Sequence, residues 1–242
     1  NEAELYAVDV MTGATRALTS DRRSVGAAHF SSDGTKLAFL APDTARRSQV
    51  WVLSMAGGEA KQVTNSPTGV EHYSWRPDGN AMAYAAADEA PKREGEDKFL
   101  TTFKVGAQDL FLREAVQPRH MWLATLDGAA PRRLTSGKWT LEFALPPGSP
   151  SSGLSWSPDG KSIAFVEGVA PESGKLDSVH VQLLDVASGK ITPLTPARRF
   201  ENNPQFSPDG HAVAYWHPRE GRGDLGWSNE VWMAPAAGGA GR

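Results

Sequence analysis

Apolar and polar positions alternate in short runs along most of the chain, and the runs return in a fixed order. Residues 30–39, 75–84, 156–165 and 206–215 each read as an aromatic, a polar turn, and a short apolar strand with alanine at its centre. A unit repeated in this way specifies a repeat architecture and decides the fold before any single residue is weighed. Each turn closes on an Asp-Gly pair: Asp33 with Gly34, Asp78 with Gly79, Asp159 with Gly160, and Asp209 with Gly210. Pro77, Pro158 and Pro208 occupy the first corner in three copies. Proline presets φ there, aspartate tolerates the second corner, and glycine takes the positive φ that reverses the chain. Each copy is therefore predicted to be a β-hairpin. The four aspartates are read as repeat elements whose carboxylates bond N–H groups of their own turns.

A third apolar strand follows each hairpin, at 49–53, 120–124, 179–183 and 230–234. A Gly- or Asp-containing turn comes next. A fourth strand then closes on an apolar-Thr pair: Val63 and Thr64, Leu134 and Thr135, Leu194 and Thr195. Four short strands rich in Val, Trp, Tyr and Thr, punctuated by turn residues, have about the length of a WD-type propeller blade. Residues 4–19 match only the last two strands of a unit. The expected organisation is one all-β domain over 1–242, a β-propeller of four-stranded antiparallel blades present as an incomplete arc. It comprises a half blade at 1–19, full blades at 26–64, 72–135 and 154–195, and an incomplete blade at 203–242. A helix is expected, if anywhere, within 106–116.

Composition narrows the function classes. The net charge of −3 calls for neither nucleic acid nor an anionic membrane. No apolar run approaches the length of a membrane span. Cysteine is absent, which excludes disulfides, thiolate metal sites and a Cys nucleophile. The six histidines (His29, His72, His120, His180, His211 and His217) show no metal-ligand spacing, so no metal and no cofactor are expected. His29 and His72 each precede an aromatic in a first strand and are read as repeat-related structural positions. Trp51, Trp122 and Trp232 recur in third strands and are expected to fill space between blades. The richness in Ala, Gly, Arg and Pro suggests a bacterial source.

The aromatic-x-Pro-Asp-Gly hairpin followed by apolar-Ala-aromatic resembles the TolB-type propeller repeat over nearly the whole chain. That repeat occurs in the periplasmic protein TolB and in the N-terminal propeller of serine peptidases of the prolyl oligopeptidase family, which includes dipeptidyl and acylaminoacyl peptidases. Between residues 91 and 135 a charged excursion leads into His120, Met121, Trp122 and Leu123, and then into Arg132, Arg133, Leu134 and Thr135. This segment is similar to bacterial members of the peptidase family, whereas TolB blades are shorter and more uniform. The resemblance implies a partner α/β-hydrolase domain carrying a Gly-x-Ser-x-Gly elbow. This chain departs from the family there: its nearest string, Gly226 to Glu230, lacks the second glycine, so no catalytic residue is assigned. The implied role is a non-catalytic propeller that gates short peptides toward an active site outside this chain. The alternative is a TolB-like interaction propeller without chemistry. A propeller enzyme with a central metal has no support in the His and carboxylate spacing. The compartment is periplasmic or cytoplasmic, with the periplasm favoured.

Propeller topology places the short Asp-Gly turns on one face and the longer strand-two-to-three loops on the other, where function is expected. The largest of these loops spans 88–119. Its carboxylates Glu94, Glu96, Asp97 and Glu114 are candidates for pairing with a substrate α-amine, as the family resemblance implies; the alternative is a solvated loop of mixed charge. Arg219 and Arg222, on a Gly-rich loop, are candidates for a bidentate grip on a substrate carbonyl or carboxylate. The apolar Phe99, Phe103, Leu110, Phe111 and Leu112 need cover from their own blade, a catalytic domain or a partner. Unpaired edges of the terminal blades are expected to favour self-association.

Overall fold

In the computed structural model the described residues are 4–19, 24–99, 102, 115–142, 153–169, 179–195, 201–218 and 229–238. They form five antiparallel sheets in chain order. The first pairs β1 (Tyr6–Val8) with β2 (Thr15–Ala17). The second runs β3 (Gly26–Phe30), β4 (Lys36–Pro42), β5 (Ser48–Ser54) and β6 (Lys61–Gln62). The third runs β7 (His72–Trp75), β8 (Ala81–Ala87), β9 (Arg119–Thr125) and β10 (Arg132–Arg133). In the fourth, β11 (Thr140–Leu141) and β12 (Ser155–Trp156) both pair with β13 (Ser162–Gly168), followed by β14 (His180–Asp185) and β15 (Ile191–Pro193). The fifth runs β16 (Asn202–Phe206), β17 (Ala212–Pro218) and β18 (Asn229–Pro235). A single 3-10 turn, Gly95–Phe99, is the one helical element among the described residues. The helix considered within 106–116 falls largely outside them.

Strand pairing refines one expected unit boundary and one expected equivalence. The inner strand of the fourth sheet begins upstream of 154, because Thr140 pairs with Gly168 and Leu141 with Glu167 before Ser155 resumes opposite Ala164. His29 and His72 are also not repeat equivalents. His29 pairs with Ala38, and it is Ser74 that pairs with the matching alanine, Ala83.

The apolar-Ala-aromatic pattern is explained by packing. Successive side chains on a strand point to opposite faces, so one strand can present a small residue to one neighbour and a ring to the other. Tyr84 packs in a cluster with Ala38, Val50 and Tyr73. Phe165 packs with Ala83, Ala85 and Met121. Tyr215 packs with Ala164, Val181 and Leu194. The ring of each blade thus sits over the alanines of the blade before it. Phe39 packs in a cluster with Leu5 and Leu18 of the first unit and with Val25 of its own. The core is therefore four clusters between five sheets, one per junction. Inner strands are also tied across junctions. Trp75 Nε1 donates to the His29 carbonyl at 3.0 Å, and Trp156 Nε1 to the Ser74 carbonyl at 3.2 Å. The repeat's leading tryptophan is an inter-blade staple.

The apolar-Thr pair has a specific task. Fourth strands are only two or three residues long, and the ladder ends just before the pair. There the threonine hydroxyl replaces a backbone acceptor. Thr19, Thr64, Thr135 and Thr195 Oγ1 accept the N–H groups of Leu5, Val50, Met121 and Val181 at 3.0, 2.8, 2.8 and 3.2 Å. All four threonines are buried. Each satisfies a donor that would cost about 1–3 kcal/mol if left unmet.

In the hairpin turns, Asp33, Asp78, Asp159 and Asp209 accept the N–H two residues on, at 3.0–3.1 Å. Gly34, Gly79, Gly160 and Gly210 take φ of 65–74°. Hydrogen bonds hold these carboxylates below the ordinary range. The leading donors are the hydroxyls of Ser31, Ser157 and Ser207, and for Asp78 the Arg76 guanidinium. Asp33 is brought down to about 2. A carboxylate depressed on folding adds stability that is present above its unfolded value and lost as pH falls through its folded one. The thermal midpoint is expected to fall between about pH 4 and about pH 2. Asp33→Asn should flatten part of that decline. An unchanged acid profile in the variant would show that the turn carboxylate contributes none of it.

Candidate functional site

The site is built at the loop-side ends of the blades, where each third strand begins. The residue just before the threonine-capped N–H is Gln49, His120 or His180, and Glu230 occupies the matching place in the last blade. Opposite these stand Ala41, Ala86, Glu167 and His217. The first two blades thus place a small apolar residue where the last two place an ionisable one.

In the first two blades the polar residue closes its own blade. Gln49 Nε2 donates to the Ser66 carbonyl at 2.8 Å, and its Oε1 accepts from Thr64 Oγ1 and Ser66 N at 2.9 and 3.0 Å. His120 lies 3.3 Å from Thr135 Oγ1 through Nδ1 and 3.1 Å from the Gly137 carbonyl through Nε2. The Gly137 carbonyl can only accept, so Nε2 carries the ring proton and donates to it, and Nδ1 accepts from Thr135 Oγ1. Burial holds the His120 pKa below its ordinary value, against the opposing pull of the Gly137 carbonyl and Asp88. Asp88 in turn pairs with Arg133 at 2.8 Å, and its N–H donates to the Pro118 carbonyl at 2.8 Å, clamping the neck of the long excursion.

The third blade departs from this arrangement. Gln182 stands where Trp51 and Trp122 stand in the earlier blades, opposite Phe165 as they are opposite Phe39 and Tyr84. Its Nε2 donates to Glu167 Oε2 at 3.0 Å and lies 2.7 Å from His180 Nε2. Among the described residues, His180 Nδ1 and Gln182 Oε1 are buried without a hydrogen-bond partner. Beside them Gly168 allows close approach: a Cβ there would lie 3.2 Å from a Glu142 carboxylate oxygen. In the fourth blade His217 Nδ1 lies 3.2 Å from Glu201 Oε1, and both residues are buried. The Trp232 ring covers His217 at 4.1 Å, and Trp232 Nε1 donates to Glu230 at 3.3 Å.

The opposite face differs. A groove of about 500 Å³ lies between the second and third Asp-Gly turns, lined by Arg76, Pro77, Asp78, Pro158, Asp159 and Gly160. Its charged groups are spent within their own turns: Arg76 grips Asp78 at 2.6 and 2.9 Å, and Asp159 accepts from Ser157 and Lys161.

Three of the residues expected from sequence lie among the described residues: Glu94, Glu96 and Asp97 are exposed on and beside the 3-10 turn. Glu114, Arg219 and Arg222 lie outside the described residues. Glu167, Gln182 and Glu201 were not singled out as site residues. A signal for Gln182 was present: of the four units with a leading hairpin, the third alone lacks tryptophan in its third strand.

No family model matches the chain. Dipeptidyl-peptidase 5 of Porphyromonas endodontalis is 28% identical over 229 residues, covering 88% of this chain and 32% of that protein. The uncharacterized peptidase YuxL of Bacillus subtilis is 24% identical over 213 residues, covering 88% of this chain and 25% of that protein. The chain spans about a quarter to a third of the length of these curated relatives. In fold it is similar to acylaminoacyl peptidase of Pyrococcus horikoshii, with a TM-score of 0.62 and 15% identity over 94% of this chain and 33% of that one. It is also similar to TolB of Acinetobacter baumannii, with a TM-score of 0.61 and 17% identity over 98% of this chain and 47% of that one. The recognition of a TolB-like propeller associated with peptidases agrees with these likenesses, and the all-β blade architecture agrees with the sheets described above.

Proposed function

We propose that this chain is the non-catalytic propeller segment of a serine peptidase of the prolyl oligopeptidase family, gating short peptides toward a hydrolase active site outside the chain. The observation that carries the reading is the likeness to a dipeptidyl-peptidase along 88% of the chain but over only 32% of that protein. The missing Gly-x-Ser-x-Gly supports a division of labour, with acyl transfer left to another domain. Exposed apolar side chains support a covered surface. Tyr6 and Val8 on the first sheet, and Val231 and Met233 on the last, are more than half exposed. A peptide entering at the loop face meets polar groups held on rigid strand ends, the placement that best fixes a recognition geometry.

The test compares two proteins. The full reading frame, expressed intact, is expected to hydrolyse dipeptidyl or aminoacyl chromogenic substrates in a reaction stopped by a serine-directed inhibitor. It should also reject folded proteins. The 242-residue chain alone should show no such turnover. Inhibitor-sensitive turnover by the chain alone would overturn the assignment, as would a full-length protein that cleaves folded proteins as readily as short peptides. An intact protein with no hydrolase domain would favour the TolB-like interaction reading, which the fold likeness to TolB also supports.

A further inference from the structure

We propose that Gln182, His180 and Glu167 form a recognition site for an uncharged carboxamide or peptide group at the loop-side end of the third blade. The inference rests on the peptide-gating reading only for the source of the ligand. The hydrogen-bond pattern itself defines the chemistry. Gln182 Nε2 faces both Glu167 Oε2 at 3.0 Å and His180 Nε2 at 2.7 Å. Reversing the amide would set two oxygen acceptors against each other, so the nitrogen takes this place. It donates to the His180 Nε2 lone pair, and the ring proton is therefore on Nδ1. What remains is one unmet donor, His180 Nδ1–H, and one unmet acceptor, Gln182 Oε1. A peptide group offers the complement: a carbonyl for the first and an N–H for the second. The Glu167 carboxylate beside them disfavours an anion. Gln182 is only 7% exposed and His180 is half-buried.

The repeat shows that folding did not require this polar set. At the same position Trp51 donates through Nε1 to the Ala41 carbonyl at 3.1 Å, and Trp122 stacks on Tyr84. Glu167 likewise replaces an alanine of the earlier blades. Two buried polar atoms without partners weaken a blade, and such departures from a locally consistent pattern concentrate at functional sites.

The experiment is a titration of the 242-residue chain with N-acetylglycinamide, read from imidazole nitrogen and proton chemical shifts, with acetate as the anionic control. The expected result is a saturating shift of the His180 ring with the amide and none with acetate. Gln182→Leu should weaken amide binding at least about tenfold, as loss of a hydrogen bond in a dry site does. Gln182→Trp, which restores the repeat, should abolish binding while holding or raising the thermal midpoint. Three results would overturn the site: no saturating shift with the amide, equal binding by Gln182→Leu, or a fall of several degrees in the Gln182→Trp midpoint. A crystal structure with only a water bridging Nδ1 and Oε1 at saturating amide would do the same. None of these readouts depends on hydrolysis, so failure here leaves the peptidase reading standing.

Discussion

Replacing Phe165 by alanine is expected to cost about 3–5 kcal/mol of folding stability, the range for emptying a buried aromatic site. Phe165 is fully buried in the cluster between the third and fourth sheets. Trp139 stacks on it at 5.7 Å, and the small Ala83 and Ala85 line the same cluster. An alanine methyl has no rotamer with which to move into the space, so the cavity should persist and two sheets should lose their common packing. Phe30→Ala makes the same chemical change at a site 56% exposed and should cost no more than about 1 kcal/mol. Urea unfolding followed by tryptophan fluorescence checks both. Equal costs for the two variants would show that the rings between blades are not what holds the sheets together.

Glu201→Leu is expected to destabilise the fold by about 1–3 kcal/mol, because removing one partner leaves the buried His217 Nδ1 without its hydrogen bond in a dry site. The pair is enclosed: Glu201 is 1% and His217 3% exposed, and Trp232 lies over the imidazole. Replacing both residues with leucine should recover much of the loss, since the buried polar cost then disappears with the pair. The double variant is the informative one. If it is no more stable than Glu201→Leu, Glu201 is held chiefly by other contacts and not by His217. The pair ties the start of β16 to the end of β17.

The sequence by itself determined the repeat and hence the architecture. Asp33, Asp78, Asp159 and Asp209 could be placed at equivalent turns because a tight reversal needs local chemistry: a carboxylate to accept a nearby N–H and a glycine for positive φ. Strand order followed from short connections and a period of two. What only the tertiary structure decided depends on residues far apart in sequence. Thr64 caps Val50, and Trp156 reaches Ser74 in the preceding blade; spacing within one strand cannot disclose either bond. The inner strand of the fourth sheet starts at Thr140, because two residues of ladder opposite Glu167 and Gly168 carry almost no pattern of their own. The charged run around Glu94, Glu96 and Asp97 drew notice in sequence because charge is conspicuous there, and in space it is exposed. Gln182 and Glu201 drew none, because a single polar residue in an apolar strand acquires its meaning only when burial removes water and leaves its hydrogen bonds to the neighbours the fold supplies.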